Sequence, residues 1–581
     1  MPSDSVSGFI MSSEKPDYFE GRYEHFIGTS GSITKPFILE NGLNLTNCNG
    51  SVRTRCGILQ NKISLEPNEE KTIYYIVGFA SSKEEDLIKK HAGLIEKAPE
   101  VFKNADNLGL KKFGSLSTET PEERVNLIMN HWVQKQVSFC MIGKKAVRDN
   151  AQIALGMLNY NADLAKKTIT ECIYNQYYDG HALLTWSPFS REKEIYSDPS
   201  AWLILSICEY IKESGDFDYL NLEIPFLEGE KGTVLDHLKK AAEWFMRDDN
   251  FGPHNLPRIH HADWNDALNI PDENAESVFM GMLICLSFNE LSLLLRRIGE
   301  NTFADTLTAF EKDLANRINE KAFNGEYYVR AFSKFGVVGD KGDKNGGNIY
   351  VNPQTFAILS DIIPKGHLKS VLTAMDGMEN EYGVPLCAPA YKTYDESVGR
   401  MSAMPSGVYE NGGIYNHACA FKVMADCKLG RSEQAISTLL KMIPNGINNP
   451  CTVSTTEPYV FTNCYLQNPE EHMLVGFSWQ TGSSAWGLRD YYEGILGLFR
   501  TYDGIKVFPN IPKNWEKVTA KRPYRNSVLH LTYINKSTKE NDKYAQNERN
   551  IKLIIDGKET DGDIIPAFND SKEHNITIEI L

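Results

Sequence analysis

"SVFMGMLICLSFNELSLLLRRIGE", Ser277 to Glu300, is the longest apolar stretch of the chain. It is interrupted by Asn289 and Glu290 and ends in Arg296 and Arg297, which reads as the buried helix of a globular core rather than as a membrane span. Helical spacing extends outward from it on both sides. It begins at "SSKEEDLIKKHAGLIEKAPEVF" and continues, with loops between, to about residue 500. "DPSAWLILSICEYIKESGD", "TFADTLTAFEKDLANRINEKAF", "NPQTFAILSDII", "GGIYNHACAFKVMADCKLG" and "TGSSAWGLRDYYEGILGLF" each start at or near a cap or proline, and most end near Gly, Asn or Asp. No strand run is long enough for a parallel sheet and no fixed-period repeat is visible, so the pattern points to an all-α toroid.

The two ends read differently. "SVRTRCGILQNKISLEPNEEKTIYYIVGFA" alternates apolar and polar residues and breaks at Glu66, Pro67 and Asn68. "GIKVFPNIP", "SVLHLTYIN", "NIKLIIDGKET" and "HNITIEIL" return to alternation, with a turn at Asp556 and Gly557. The expected layout is a β region over 1–82, a helical linker over 83–118, a helical catalytic domain over 119–500 and a small β domain over 501–581.

The 581 residues carry 61 Lys+Arg against 76 Asp+Glu, a formal charge of -15. A surface of that sign repels phosphate backbones and anionic lipid, so neither nucleic acid nor membrane is expected as a partner. Eleven scattered cysteines without a CxxC pair suggest neither a disulfide framework nor a zinc ribbon, and a cytoplasmic home is expected. The first 26 residues lack a basic segment followed by an apolar one, so no signal peptide is expected.

The chemistry concentrates in loops rich in polar and aromatic residues, above all "HHADWNDALN", His260 to Asn269. A metal nest would draw on His254, His260, His261, Asp263 and Asp266, but adjacent histidines point apart and no second cluster completes the ligand set. A capped helix start would use Asp263 or Asp266 and leave Trp264 unexplained. A sugar site would stack a pyranose on Trp264 and hold one Asp protonated to donate to a glycosidic oxygen. An inverting hydrolase then needs a second carboxylate to activate water, whereas a phosphorylase needs an anion pocket. "GGIYNHA", with His417, and "WQTGSSAW", with Thr481, offer such a pocket at two helix starts.

Taken in order, "PDYFEGRYEHFIGTSGSITKP", "DWNDALN", "VNPQTFAILS", "NGGIYNHA", "TTEPYV", "SWQTGSSAWGLRDYYEGILGL" and "YDGIKVFPNIPKNW" resemble the cellobiose and chitobiose phosphorylases of glycoside hydrolase family 94. The resemblance covers nearly the whole chain. It implies an (α/α)6 barrel flanked by β domains and reversible, inverting phosphorolysis of a β-linked disaccharide to an α-sugar 1-phosphate. It makes Asp266 the general acid and Arg148 and Asp149 donor-sugar ligands. It places Trp264, Asp198, Tyr409 and Glu410 along the sugar site, and gives the phosphate to His417, Thr481 and Gly482. Inorganic phosphate is then a co-substrate and no cofactor or metal is expected. A bound phosphate dianion also raises the proton affinity of a nearby carboxyl, which would help keep Asp266 protonated.

Three departures from the family pattern stand out, the first two bearing on the substrate. The chain is short before "KKAVRDN", where cellobiose phosphorylase carries further arginines and where Lys144 and Lys145 stand here. Tyr409 occupies the position of an acceptor-binding lysine, which points away from cellobiose. The amino end is expected to hold only the last part of the family's β-sandwich, through which a homodimer forms, so dimerisation is not implied by this chain alone. The rival readings are a hydrolase on the same barrel, with Asp198 or Glu410 as base, and a truncated barrel that only binds sugar.

Overall fold

The computed structural model describes residues 6–49, 54–81, 89, 92–141, 145–187, 191–537 and 550–581. The chain forms two compact units, Met1–Lys112 and Phe113–Leu581.

In the first unit the alternating segments become two antiparallel strand pairs, Val6–Ser12 with Tyr75–Ser81 and Tyr18–Arg22 with Arg55–Gln60. The register of the second pair shifts between Glu20 and Arg22, and Glu20 is buried there. Burial pushes its carboxyl up, but hydrogen bonds from Thr46, His25 and Arg22 outweigh that and hold it at about 2. Helix Ala98–Phe113 follows. The expected linker over 83–118 is therefore not a separate piece: most of it falls within the first unit, and residues 82–88 lie outside the described residues.

Besides the single turns Arg400–Ala403 and Cys451–Ser454, the second unit is built, among the described residues, on twelve main helices. They are α1 (Glu123–Leu127, a π turn Ile128–Trp132, then Val133–Cys140), α2 (Val147–Met157), α3 (Ala162–Ile173), α4 (Pro199–Ser214), α5 (Val234–Phe245) and α6 (Val278–Arg297). The rest are α7 (Asn301–Lys321), α8 (Val351–Leu359), α9 (Lys365–Met378), α10 (Asn416–Leu429), α11 (Ser432–Met442) and α12 (Ser483–Arg489, continued by a π turn Asp490–Ile495). The even-numbered helices pack in order, α2 on α4, α4 on α6, α6 on α8, α8 on α10 and α10 on α12, and α12 packs back on α2. Each odd-numbered helix lies against the ring, α3 on α2 and α4, α7 on α6, α9 on α8 and α11 on α10.

The sequence explains this division. Ring helices are apolar nearly all round because both faces are covered: fourteen residues of α6 are buried. By length and hydropathy α6 could cross a membrane, but 78% of its apolar window is buried inside the protein, as expected of a core helix. The outer helices are two-faced, and α5 is closed at its start by a capping box between Thr233 and Asp236. Gly215 and Gly430, in the left-handed conformation, end α4 and α10.

The carboxy-terminal β part is not a separate unit. Its six-stranded sheet runs Lys558–Thr560, Ile551–Ile555, Glu573–Ile580, Ser527–Asn535, Lys517–Tyr524 and finally Ser117–Glu119, a strand from just before α1. A three-stranded sheet, Leu498–Arg500, Gly504–Val507 and Ile564–Pro566, completes it. Buried ion pairs bind this part to the ring: Arg522 reaches Glu213 of α4 at 2.5 Å, and Arg500 reaches Glu213 at 2.7 Å and Glu493 at 2.8 Å.

Candidate active site

The loop between α5 and α6 carries the DWND motif, and its first carboxylate is a structural anchor. Asp263 and Arg330 are both fully buried and paired at 2.6 Å, and Ser277 donates to Asp263 at 2.6 Å. Arg330 also reaches Asn265 at 2.9 Å, whose oxygen accepts from Asn352 at 3.2 Å. With every side-chain polar atom of Asp263 and Asn265 committed, the loop is held in one conformation.

That conformation turns Asp266 outward. Its side chain is 45% exposed, and one oxygen accepts from Arg148 Nη1 at 2.6 Å. Arg148 is itself buried and grips Asp198 through Nε and Nη2 at 2.7 and 2.8 Å. Its Nη2 also donates to the Asp263 carbonyl at 2.6 Å, and Tyr196 lies 5.5 Å from its guanidinium. Asp198 receives Trp202 Nε1 at 2.8 Å as well, so both its oxygens are bound inside the protein.

Glu410 approaches from the "ENGG" turn, where Gly412 takes a φ of 76°. Its carboxylate meets the Ala267 amide at 3.2 Å and Asn265 Nδ2 at 3.3 Å. Burial first, and then the Asp266 charge, push Glu410 up to about 8, against the smaller opposing pull of those two donors and Arg148. It therefore holds a proton near neutral pH. Because the folded-state value lies above the ordinary 4.5, the stability tied to this group is whole below pH 4.5, fades as pH rises and is gone above about 8. Glu410→Gln should therefore flatten the fall in urea midpoint between those two pH values, and an unchanged slope would place the titrating group elsewhere.

The anion pocket candidates meet on the other side of Trp264. The His417 ring lies 5.0 Å from Trp264, nearly perpendicular to it, and Nε2 lies 3.0 Å from Gln152 Oε1. A β-carbon added at Gly482 would fall 2.3 Å from His417 Cε1, so only glycine lets the chain pass this close to the ring. Thr481 and Ser483 hydroxyls are 2.8 Å apart. Trp479, just before, has a φ of 64°, an unusual conformation for a bulky residue, and Gln136 Nε2 holds its carbonyl at 3.0 Å. Tyr409, with a φ of 47°, is likewise held in the left-handed region beside the site.

Arg148 thus contacts Asp198 and Asp266 directly, Trp264 contacts His417, and Glu410 reaches the group through Asn265 and Ala267 of the DWND loop. Trp264 is only 7% exposed and sits edge-on among Tyr415, His417 and Phe421, so most of its ring is a wall of the His417 pocket. Asp149 is exposed, with its charge acting on Arg148 and Cys140. Tyr409 lies at the margin, against Gly476. Lys145 pairs with Glu171 at 3.1 Å, and Lys144 lies outside the described residues. His254 bonds Glu276 and His260 bonds Asn250, so the histidines of the metal reading go to different partners. Reading the sequence missed Arg330, which has no local signal, and Gln152, which lies one helical turn beyond Arg148 and so on the same face of α2. Trp486, whose indole donates to Gln152, also lines a separate cavity of about 280 Å³ with Glu209, Lys212 and Arg500.

The helical domain thus presents an exposed carboxylate on a buried guanidinium, beside a glycine-abutted histidine. The family model "Glycosyl hydrolase 94 superfamily, catalytic domain" matches residues 111–497, and "Glycosyl hydrolase 94, supersandwich domain" matches residues 3–93. The chain belongs to the glycosyl hydrolase 94 superfamily. The amino-terminal region expected to hold only the end of the sandwich is thus matched as that domain over nearly all its length.

The chain is 31% identical to the solabiose phosphorylase of Paenibacillus borealis, over all of this chain and 75% of that protein. It is 26% identical to the 3-O-beta-D-glucopyranosyl-beta-D-glucuronide phosphorylase of the same species, over 97% of this chain and 74% of the other. Against the N,N'-diacetylchitobiose phosphorylase of Vibrio proteolyticus the identity is 24%, over 92% and 72%. Among solved structures, the GH78 family rhamnosidase of Bacillus sp. GL1 matches with a TM-score of 0.51 at 12% identity, over 72% of this chain and 42% of that one, a likeness of fold alone.

Proposed function

We propose that this chain is an inverting glycoside phosphorylase that converts a β-linked gluco-disaccharide or oligosaccharide and inorganic phosphate to an α-sugar 1-phosphate and a shortened acceptor, reversibly. One observation carries the reading: among the described residues Asp266 is open to supply a proton, while neither Asp198 nor Glu410, the two carboxylates a hydrolase would use as base, is free. Of the four carboxylates hydrogen-bonded to Arg148 or to the DWND loop, Asp266 is the one whose side chain is largely exposed; Asp198 and Asp263 are bound on both oxygens, and Glu410 holds a proton. A hydrolase using Asp198 or Glu410 to activate water would need a free, ionised carboxylate at one of them. The related phosphorylases support the same choice, and the closed order of the even-numbered helices supports an (α/α)6 barrel as its frame.

In the step itself, an unprotonated oxygen of monohydrogen phosphate, held by His417, Thr481 and the Gly482 amide, attacks the anomeric carbon from the α face. The bond to the departing oxygen breaks with its electron pair, and that oxygen takes the Asp266 proton. The carboxylate left behind is paired by Arg148, which favours the charge as it forms. Asp149 and Tyr409 are assigned to the sugar, and Trp264 to the wall of the His417 pocket rather than to a stacking face. Free cysteines throughout fit a cytoplasmic enzyme.

The direct test is phosphate release from α-glucose 1-phosphate, and in parallel from α-N-acetylglucosamine 1-phosphate, over a panel of acceptor sugars including glucose and gluconate. Release that depends on one acceptor names both subsites; sugar-acceptor hydrolysis without phosphate dependence would reject the reading. His417→Ala should raise the phosphate KM by about tenfold or more while moving the sugar KM little. Equal changes in both would argue against a phosphate contact.

A further inference from the structure

The hydrogen-bond partners of His417 determine which of its nitrogens carries the proton. Trp486 Nε1 lies 2.9 Å from Gln152 Oε1, and an indole N–H can only donate, so this atom of Gln152 is its carbonyl oxygen. The Gln152 amide nitrogen agrees, donating to the Arg148 carbonyl at 3.3 Å. His417 Nε2 lies 3.0 Å from the same Oε1 and must therefore be the donor to it. All three side chains are buried, so water does not offer an alternative arrangement. Burial first, and then the Arg148 charge, hold His417 down at about 3, so the ring is neutral and its Nδ1 is a bare lone pair. Gly482 abuts the Cε1 end of the ring, between the two nitrogens: a β-carbon there would lie 2.3 Å from Cε1 and 2.7 Å from Nδ1.

We propose that Trp486 and Gln152 fix His417 as the Nε2–H tautomer, so that its Nδ1 accepts the hydrogen of a P–OH group and the pocket selects monohydrogen phosphate over a dianion that has no proton. The proposal rests on the phosphate reading of this pocket and adds to it the form of the anion and the role of Gln152, a positioning residue. A neutral Nδ1 facing an oxygen without hydrogen sets two lone pairs against each other; facing P–OH it makes a hydrogen bond. The protonated oxygen is then the one turned to His417, and the attacking oxygen is one of the others. The hydrogen stays on phosphorus-bound oxygen through the displacement, so the immediate product is the singly protonated sugar phosphate.

The test uses the full-length chain labelled with ¹⁵N-histidine, with the His417 signals assigned by their loss in His417→Gln. Near neutral pH, Nε2 should resonate as a protonated nitrogen and Nδ1 as an unprotonated one, and inorganic phosphate should move chiefly Nδ1. Sulfate, a dianion of the same shape without a hydrogen, should bind about tenfold or more weakly than phosphate. In Trp486→Phe the Gln152 amide is free to turn over, so the second tautomer should appear and the preference over sulfate should fall, a change that lost packing alone would not produce. A proton on Nδ1, or sulfate binding as well as phosphate, would overturn the proposal while leaving the phosphate site standing. If phosphate moves neither nitrogen, the phosphate reading itself fails, and the proposal with it.

Discussion

Asp266→Asn is expected to lower kcat for phosphorolysis by about three orders of magnitude or more, within the range that general acid catalysis supplies, with little change in either KM. The amide keeps the size of the side chain and can still accept from Arg148, so the loop should stay in place; what it loses is a proton to give. The step that suffers is protonation of the departing sugar oxygen, and this defines a control. A β-glycosyl fluoride of the donor sugar leaves without protonation, so Asp266→Asn should turn it over with phosphate at a rate near that of the unaltered enzyme. If the fluoride is as slow as the disaccharide, the residue is holding the site together rather than supplying the acid. If the natural reaction persists at more than about a tenth of its rate, the acid lies elsewhere.

The parts of this site that were legible in the sequence are those whose chemistry is local. The DWND loop offered Asp263 and Asp266 as candidates, between which the family resemblance chose Asp266, and two glycine-bearing helix starts offered His417 and Thr481. Local periodicity and caps also gave the helical core: the Ser277–Glu300 stretch contains a ring helix, Gly215 and Gly430 close the helices they were read as ending, and Asp556 and Gly557, both with positive φ, make the two-residue turn. The parts that were not legible depend on residues far apart in the chain. Arg330 meets Asp263 across 67 residues, and Ser117–Glu119 joins a sheet strand at Lys517–Tyr524. No pattern within either segment announces the other. Glu410 shows the same limit in its chemistry: its type and position suggested a base, but burial beside Asp266 leaves it protonated, and burial is a property of the fold.

The Asp263–Arg330 pair is where that hidden part carries the largest consequence for stability. Both side chains are wholly buried, and Arg330 has no other carboxylate partner among the described residues. Asp263→Asn should therefore leave a buried guanidinium uncompensated and destabilise the second unit by about 3–5 kcal/mol, read as a lower urea midpoint with unchanged slope. Arg330→Met should do comparable damage by stranding the carboxylate. The double variant Asp263→Asn/Arg330→Met should recover much of the loss, because no unpaired charge then remains inside. A buried pair contributes little net stability over neutral residues of similar shape, so this pair is better explained by what it holds. It fixes Asn265 and the Asp263 carbonyl that receives Arg148, and thereby the direction in which Asp266 points. The double variant should accordingly fold well and still lose most of its turnover with disaccharide. If it regains both stability and full activity, the pair is only packing; if the two single losses simply add in the double variant, the two charges do not depend on each other and the DWND loop is held by something else.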